Sequence, residues 1–481
     1  MKREKLEQAM AHISDAHIAE AAQPKKKTLA PWLKAVAAVL AVVLLGHIIL
    51  NPGISAKAVA IASESRKTER LDRSDYKDYD DFALVYDAYK AEQDQRSAIT
   101  RTATSNLQNF FAASSQIFLD SNTENRVWSP INGFIALSML AEVTDGTSRQ
   151  QILDALNIAD LDVLRNQTEA MWENIYTDNG KEIATLANSL WLDQRLNYQK
   201  TAIDNLAHYH YASVYQGRLD SPKTAQDLKN WINKNTGNIL QESVKNLDLT
   251  PQPVNGEESY LALILASTVY LKSQWSDDFS KSLNTAGRFK SPSGEVTCTF
   301  MNKKRMTTNY HWGESFGAVS MWLKNGCQMW FVLPDEGKTV SDVLAEGEYL
   351  QLPQNQYNQD FENSKYMMVN LSVPKFDVSS EADLTTGLQQ LGITDVFSPE
   401  AADFSAIMAN GSDPVWADSV KQAARVAIDE DGVTAASYIV IPGAGAVAPP
   451  DEIIDFILDR PFIFIISKDS IPVFTGVVNQ P

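Results

Sequence analysis

One short stretch of the sequence has the residue pattern of a catalytic nucleophile. Gly313-Glu-Ser315-Phe-Gly317 matches the G-x-S-x-G turn that exposes a reactive serine in α/β-hydrolases. In that class the histidine that activates the serine comes after it in the chain. No histidine follows Ser315, because the six are His12, His17, His47, His208, His210 and His311. The residue order of an α/β-hydrolase is therefore missing, and we do not expect a hydrolase of this class.

The same survey gives little support for metal or nucleic-acid chemistry. His208 and His210 would share one face of a strand and could bind a metal ion there, but no third ligand is near them, and surface histidines are the simpler interpretation. The 60 acidic residues outnumber the 42 basic residues and give a net charge of −18. Phosphate binding needs a clustered basic surface instead. We expect no metal, no cofactor and no nucleic-acid partner.

The segment from Gly432 to Val447 is unusual because it contains no charged residue. Such a composition fits a strand with neighbours on both sides better than a loop in water. Gly432 stands where the segment would have to turn, and glycine allows that rotation at the lowest steric cost. Alternate residues of a strand share one face, and the inward set counted from this point is uncharged: Val433, Ala435, Ser437, Ile439 and Ile441. The pattern predicts a loop that can become a strand, with an ordinary apolar edge strand as the alternative.

The elements that would position this loop are of mixed type. Helical periodicity occurs in Leu107 to Phe118 and in Asn132 to Glu142, whereas Leu261 to Leu271 and Gln328 to Leu333 are typical of buried strands. Helices and strands do not alternate regularly, and no repeat is visible. These features predict an α+β fold rather than a doubly wound sheet.

Five groups of short strings lie in order between Asn125 and Pro481, and each would be weak evidence alone. They are Asn125-Arg-Val-Trp-Ser129-Pro130 with Ala136-Leu-Ser-Met-Leu140 and Gly146-Thr-Ser-Arg-Gln-Gln151-Ile152; Asn230-Trp231-Ile-Asn-Lys-Asn-Thr236-Gly-Asn-Ile239; Leu263-Ile-Leu-Ala-Ser-Thr-Val-Tyr270-Leu-Lys272-Ser-Gln-Trp275; Val373-Pro374-Lys375-Phe376 with Leu391-Gly392-Ile393-Thr-Asp-Val-Phe397; and Ile428-Asp-Glu430-Asp431-Gly432 with Asp459-Arg460-Pro461-Phe462 and Thr475-Gly476-Val477-Val478-Asn479. In this order and spacing they resemble the serpin family of serine protease inhibitors. The layout suggests a bacterial, membrane-anchored member.

The resemblance implies an α+β serpin fold with a large central β-sheet, a second sheet packed on it, about nine helices and an exposed reactive loop. It also implies a suicide-substrate mechanism. A target serine protease attacks the loop, forms a covalent acyl complex, and is distorted when the cleaved loop enters the sheet as a new strand. We therefore expect a monomeric protease inhibitor and not an enzyme.

The resemblance also assigns roles to residues of the loop. The reactive bond falls between Ala446 and Val447, and the bait segment around it is Gly443, Ala444, Gly445 and Ala448. The hinge consists of Glu430, Asp431, Gly432, Val433, Thr434, Ala435, Ala436, Ser437 and Tyr438. Because the bait side chains are small and uncharged, a shallow specificity pocket fits them best. The expected targets are elastase-like or subtilisin-like proteases.

Some positions depart from the family pattern. A polar cluster beneath the opening sheet maps to Ser129, Asn132, Ser267 and Gln422, three of which differ from the usual residues while keeping hydrogen-bonding capacity. Within the loop, Val433, Tyr438 and Pro442 are unusual for an inhibitor, and Pro442 cannot donate a ladder hydrogen bond. The alternative function is a non-inhibitory serpin-fold module for surface binding or adhesion.

The N-terminal region predicts export. Residues 35–50 form an apolar run near the lower length limit of a membrane helix, and lysines precede it, so we expect a single-pass anchor with a cytoplasmic leader at residues 1–34. A charged linker at 51–102 and an extracellular domain at 103–481 would follow. The alternative is a secreted form cleaved after Ala60. In that compartment Cys298 and Cys327 could be two buried thiols or one disulfide.

Overall fold

The computed structural model describes residues 37–49, 59–62, 78–245, 247, 249–250, 259–355, 362–409, 414–432, 450 and 452–481. They belong to one compact unit, Ala35–Pro481. The helices of the described residues are α1 (Tyr79–Asn106), α2 (Gln108–Leu119), α3 (Pro130–Val143), α4 (Gly146–Ala155), α5 (Leu161–Ile175), α6 (Lys200–Tyr209), α7 (Pro222–Asn235), α8 (Gln241–Lys245), α9 (Val340–Glu346), α10 (Leu352–Asn355) and α11 (Thr385–Gln390). This number is close to the nine expected.

The strands form two large sheets, as expected for the α+β fold. They are β1 (Ala37–Ile49), β2 (Val59–Ala62), β3 (Arg126–Trp128), β4 (Thr177–Asp178), β5 (Ile183–Asp193), β6 (Ala212–Gly217), β7 (Ser259–Lys272), β8 (Thr285–Ser291), β9 (Gly294–Trp312), β10 (Phe316–Trp322), β11 (Cys327–Pro334), β12 (Ser364–Pro374), β13 (Phe376–Asp383), β14 (Val415–Ile428), β15 (Ile453–Ile457), β16 (Phe462–Lys468) and β17 (Ile471–Val478). The main sheet has the order β13-β14-β1-β7-β5-β6-β2, with β4 beside β5. The second sheet has the order β15-β12-β9-β10-β11-β16-β17-β3, with β8 beside β9.

The centre of the main sheet is covered on both faces. Strand β7 is almost continuously apolar and buried, which is the composition of a strand with no solvent-facing side. On one face lies α3, which is buried along nearly its whole length and contacts β7 and β17. On the other face α7 packs through Leu228 and Ile232 against Leu261 and Ile264 of β7. The main sheet therefore forms the middle layer of the domain.

Both of these helices begin at a Ser-Pro pair. The Ser129 hydroxyl accepts the Asn132 backbone N–H at 3.2 Å at the start of α3, and the Ser221 hydroxyl accepts the Thr224 N–H at 3.1 Å at the start of α7. Serine is a favoured cap because its oxygen satisfies a free helical N–H. Proline follows each serine at a position where its missing N–H costs nothing. These local signals fix where the two covering helices start.

The part of the expected linker from residue 79 onward is helical and contacts the body. Arg96 of α1 forms an ion pair with Glu173 of α5 at 2.6 Å, and Ala103 and Leu107 are fully buried. The domain boundary expected at residue 103 therefore falls inside a continuous helix. The charged sequence hid this contact because only the last turns of α1 carry apolar residues toward the core.

The apolar N-terminal segment differs in conformation from the membrane helix expected at 35–50, and the anchor itself stays a prediction. Residues 37–49 are strand β1, which lies inside the main sheet between β7 and β14. Its valines and isoleucines are good strand formers, and two neighbouring strands pair with its backbone. An apolar run of this length is compatible with either conformation, so composition alone could not decide. Among the described residues, no helix combines the length and the apolar character needed to cross a lipid bilayer.

Two other sequence features find structural explanations. Ser315 lies between strands β9 and β10, and its hydroxyl donates to Glu346, so the strand-turn-helix of a hydrolase is absent there. His208 is exposed on helix α6, but His210 is buried just after it, which corrects both the strand and the surface interpretations of the pair. Burial alone would raise the pKa of Glu142, but the neighbouring His210 and the hydrogen bonds from Arg165 and Asn205 lower it to about 2.

Cys298 and Cys327 are both free thiols rather than partners in a disulfide. Cys298 lies in β9 and Cys327 in β11. Cys327 is fully buried, and that burial raises the pKa of its thiol to about 12. A thiol with such a pKa is protonated at neutral pH and is a poor nucleophile.

Candidate functional site: the hinge and the strand slot

The hinge begins where β14 ends, and its first residues are tied to the end of β7. The indole Nε1 of Trp275 donates to the carbonyl of Asp429 at 2.8 Å. Gly432 has a positive φ of 65°, and a Cβ at this position would collide with the backbone of Gln274 and Trp275. Both facts require glycine, because other residues are strained at positive φ and none would fit the space. The hinge thus closes one end of the gap between β14 and β7.

Glu430 fastens the hinge to the neighbouring strand. Its side chain is only 3% exposed and forms an ion pair with Lys375 at 2.5 Å. The side-chain amide of Asn284 also donates to it. Burial opposes ionisation of Glu430, but the hydrogen bonds from Lys375 and Asn284 outweigh it and hold its pKa below the ordinary value. Lys375 stands between β12 and β13, so this pair connects the end of β14 to the start of β13.

The pKa of Asp429, the residue before Glu430, is shifted in the opposite direction. Burial raises its pKa to about 7, and the nearby negative charges of Asp431 and Glu430 act in the same direction. A hydrogen bond that its Oδ1 accepts from the Asp431 backbone N–H at 3.0 Å only partly compensates. Asp431 itself pairs with the exposed Lys281 at 2.5 Å. The hinge therefore contains a carboxyl group that changes charge near neutral pH.

We call the strand position between β7 and β14 the slot. Strand β1 fills it, running antiparallel to both neighbours. Ala37 is level with Ala427 of β14 and Lys272 of β7, next to the hinge, and the strand ends level with Val415 and Ser259. A chain that turned back after Gly432 and entered the sheet would run in this same direction.

The polar cluster expected from the sequence lies beside and below the slot. The Ser267 hydroxyl is 2.6 Å from Asn132 Oδ1 and 2.7 Å from Asn188 Oδ1. Gln422 is on the other side of β1, and its Nε2 donates to the Val127 carbonyl at 2.6 Å. Ser129 donates to the carbonyl of Val473 at 2.6 Å in addition to capping α3. The structure therefore brings Ser129 and Ser267 into contact with Asn132. Gln422 binds the Val127 carbonyl separately.

Several expected site residues lie outside the described residues. They are the hinge residues Val433, Thr434, Ala435, Ala436, Ser437 and Tyr438, the bait residues Gly443, Ala444, Gly445 and Ala448, and the reactive bond Ala446–Val447. Of the expected hinge, the structure describes Glu430, Asp431 and Gly432.

The main sheet, the slot and the hinge can now be compared with known proteins. The sequence model of the family described as "Serpin (serine protease inhibitor)" matches residues 106–481. The chain belongs to the serpin family. Serpin-ZX of Arabidopsis thaliana is 25% identical over 376 residues, which cover 75% of this chain and 93% of that protein.

Solved serpin structures share the fold. The thermophilic serpin tengpin in its native state matches with a TM-score of 0.67 and 21% identity, over 89% of this chain and all of that one. Human thyroxine-binding globulin complexed with thyroxine matches with a TM-score of 0.65 and 19% identity, over 80% of this chain and 99% of that one. Serpins are mostly protease inhibitors, but thyroxine-binding globulin shows that non-inhibitory members exist. The bacterial origin suggested by the layout stays a prediction.

Sequence reasoning missed four residues that hold this serpin's site together. Asn188 completes the cluster around Ser267, and an amide inside the buried strand β5 was a usable signal, because such a group needs partners. Lys375, Asn284 and Trp275 hold the hinge. Asn284 and Trp275 are more than a hundred residues away from the hinge in the sequence. Only the fold shows that these three side chains contact it.

The hinge glycine predicts a large effect of a small substitution. Gly432→Ala should lower the free energy of unfolding by about 2–4 kcal/mol, because it adds a backbone collision to the cost of positive φ. Gly180→Ala is the matched control, since Gly180 also has positive φ but has no atoms near its missing Cβ, and it should cost about 1 kcal/mol. Urea unfolding of both variants measures the difference. Equal losses would show that the contact with Gln274 and Trp275 is unimportant.

Asp429 predicts a pH dependence of stability. The pKa of an unfolded aspartate is about 3.9, so between pH of about 4 and about 7 the unfolded chain loses this proton while the folded chain keeps it. Stability should therefore fall as pH rises through this window and then level off. Asp429→Asn keeps an oxygen that accepts the Asp431 N–H but removes the titrating group. The melting temperature of this variant minus that of the wild type should therefore increase as pH rises.

The control for this titration is Asp204→Asn, which removes a carboxylate from an exposed pair with Lys200. Melting temperatures of the three proteins should be measured from pH about 4 to about 8. A constant difference between wild type and Asp429→Asn across this range would contradict the assignment.

Proposed function

We propose that this serpin inhibits serine proteases by offering the segment after Gly432 as a substrate and then inserting it into the slot. The observation that supports this best is the slot itself. It takes an uncharged strand antiparallel to both β7 and β14, in the direction the cleaved loop would follow from the hinge. The segment from Gly432 to Val447 has the uncharged composition that this position requires.

The proposed reaction begins as ordinary proteolysis. The protease serine attacks the carbonyl carbon of Ala446, and the bond to Val447 breaks. The new amino terminus at Val447 leaves with the proton that the serine hydroxyl gave up. The protease remains attached to Ala446 as an ester. If the loop enters the slot before water hydrolyses that ester, the protease is carried along and deformed. Each new backbone hydrogen bond contributes about 0.5–1.5 kcal/mol, so a strand of about ten residues can supply on the order of ten kcal/mol. A protease is stable by only about 5–15 kcal/mol.

The bait residues support a preference for elastase-like or subtilisin-like proteases. Gly443, Ala444, Gly445, Ala446 and Ala448 have small uncharged side chains. A trypsin-like pocket needs an arginine or lysine on the substrate, and none lies between Gly432 and Val447. A shallow pocket accepts alanine without leaving a buried charge unpaired.

A non-inhibitory binding module is the second candidate. Human thyroxine-binding globulin, complexed with thyroxine, has the same fold. In this chain Val433, Tyr438 and Pro442 favour that candidate, because each makes loop insertion less favourable than in a typical inhibitor. A covalent complex with a protease separates the two candidates, since a binding module would be cleaved without forming one.

The position of the reactive bond predicts a specificity switch. The wild-type chain should form a complex with elastase or subtilisin that survives denaturing gel electrophoresis, and should release a fragment that begins at Val447. Ala446→Arg should form the complex with trypsin and lose at least about a hundredfold in rate with elastase, because the arginine fits the one pocket and not the other. Ala448→Arg, two residues away, is the control and should still react with elastase. Trypsin complexes of equal yield from both variants would place the reactive bond elsewhere.

Attachment to a membrane through residues 35–50, with the domain at 103–481 outside the cell, is also proposed. Strand β1 and a membrane helix use the same residues, so one molecule can have only one of them at a time. Cleavage after Ala60, the secreted alternative, would cut strand β2. If the anchor forms in cells, the full chain should stay with membranes after an alkaline carbonate wash. Its release into the wash would contradict the anchor.

A further inference from the structure

Strand β1 is not a part of the site that the proposed function uses, yet it occupies the strand position that the reactive loop needs. We propose that residues 37–49 are an internal ligand of the slot and compete with the reactive loop for it, so that only the molecules whose slot they have left can inhibit. The competition with the reactive loop rests on the proposed function. The occupancy itself stands on the geometry of the main sheet.

The slot can hold one strand and no more. Neighbouring strands lie about 4.8 Å apart, so β7 and β14 are about 9.6 Å apart when one strand is between them. Both of their facing edges pair with β1 along its length, from the level of Ala37 to that of Ile48. A second strand would find neither space nor free backbone partners. The reactive loop can therefore enter only after β1 has left.

The lining of the slot fits an apolar occupant. The Ser267 hydroxyl lies within hydrogen-bond distance of Asn132 Oδ1 and Asn188 Oδ1 beside the middle of β1, where Val42 is level with both Ser267 and Gln422. The amide of Gln422 is directed to the Val127 carbonyl. Residues 37–49 contain no Asp, Glu, Lys or Arg, which is also true of the loop from Gly432 to Val447. The slot therefore favours uncharged segments, and residues 37–49 and the loop from Gly432 to Val447 both meet this requirement.

The occupant belongs to the same chain rather than to a second copy. Strand β2 follows β1 in the sequence and pairs with β6 at the edge of the same main sheet. Four strand spacings separate the positions of β1 and β2, about 19 Å, and the ten peptide steps from Ile49 to Val59 can span about 33 Å. Attachment of β2 keeps β1 close to the slot and raises its effective concentration there.

A chain in this state should behave as a substrate. The protease still cleaves the loop and forms the ester on Ala446, but the cut loop has no position to enter. Water then hydrolyses the ester, and the protease leaves active. A chain without β1 in the slot should instead trap the protease. Cleavage of the loop should also raise the melting temperature only when the slot is open.

A cysteine pair tests the occupancy directly. Ala41 is the register partner of Ala423, so Ala41→Cys with Ala423→Cys should form a disulfide on mild oxidation of the full-length chain. Ala37→Cys with Ala423→Cys is the matched control, because Ala37 is level with Ala427 and is too far from Ala423. Both variants carry Cys298→Ala and Cys327→Ala to remove competing thiols. Equal disulfide formation in both pairs, or none in either, would overturn the occupancy, and a disulfide-linked dimer would overturn the claim that the occupant is the chain's own segment.

The same variant tests the competition. Oxidation of the Ala41/Ala423 pair should lower the fraction of molecules that form a covalent protease complex by about tenfold, and reduction should restore it, whereas the control pair should not respond. Val42→Asp combined with Val43→Asp should raise that fraction by about tenfold over the wild type, because charges on a strand between two buried strands are costly to remove from water. Ile54→Asp with Ser55→Asp, between the two strands, is its control. An oxidised pair that traps protease as well as the reduced one would overturn the competition.

These results separate the two proposals. The first possible result is that the Ala41/Ala423 pair forms a disulfide but no variant forms a complex with any protease. This result supports β1 as the occupant and overturns inhibition. No disulfide together with full complex formation by the wild-type chain supports inhibition and overturns the role of β1.

Discussion

The strand position between β7 and β14 is the constraint on which the rest of this serpin depends. Both strands are buried in the middle layer, and their facing N–H and C=O groups need partners because unpaired backbone groups in the interior are costly. In the structure β1 supplies those partners. Two uncharged segments of the chain suit the position, and only one can have it. In the proposed mechanism, the segment that fills the slot decides whether the protein traps a protease.

Polar contacts hold the hinge and the residues beside the slot in place. The pair Glu430–Lys375 and the bond from Trp275 to Asp429 hold the hinge at one end. Midway along, Ser267 is bound to Asn132 and Asn188. Each of these groups is satisfied where it stands, so movement of the hinge must break polar contacts before new strand pairs form. Such an arrangement favours a slow exchange that needs a trigger, and cleavage of the loop is the trigger that serpin chemistry supplies.

Only the first residues of the hinge can be compared with what the residue types alone predicted. The need for glycine at position 432 and the absence of charge after it followed from backbone sterics and burial. Partners such as Lys375, Asn284 and Trp275 could not be read in this way, because their roles come from contacts across the fold. The same is true of the pKa of Asp429, since burial and neighbouring carboxylates raise it only in the folded chain.

The sequence alone was enough to predict the serpin family, the mixed α+β class and the uncharged segment after Gly432. These follow from local residue chemistry and from the order of motifs. Only the tertiary structure decided the conformation of residues 37–49 and the extent of α1. An apolar segment is stable wherever its side chains leave water and its backbone is paired, which a helix in a bilayer and a strand in a sheet both provide. The choice depends on whether a slot with two free edges exists elsewhere in the chain, and no local pattern records that.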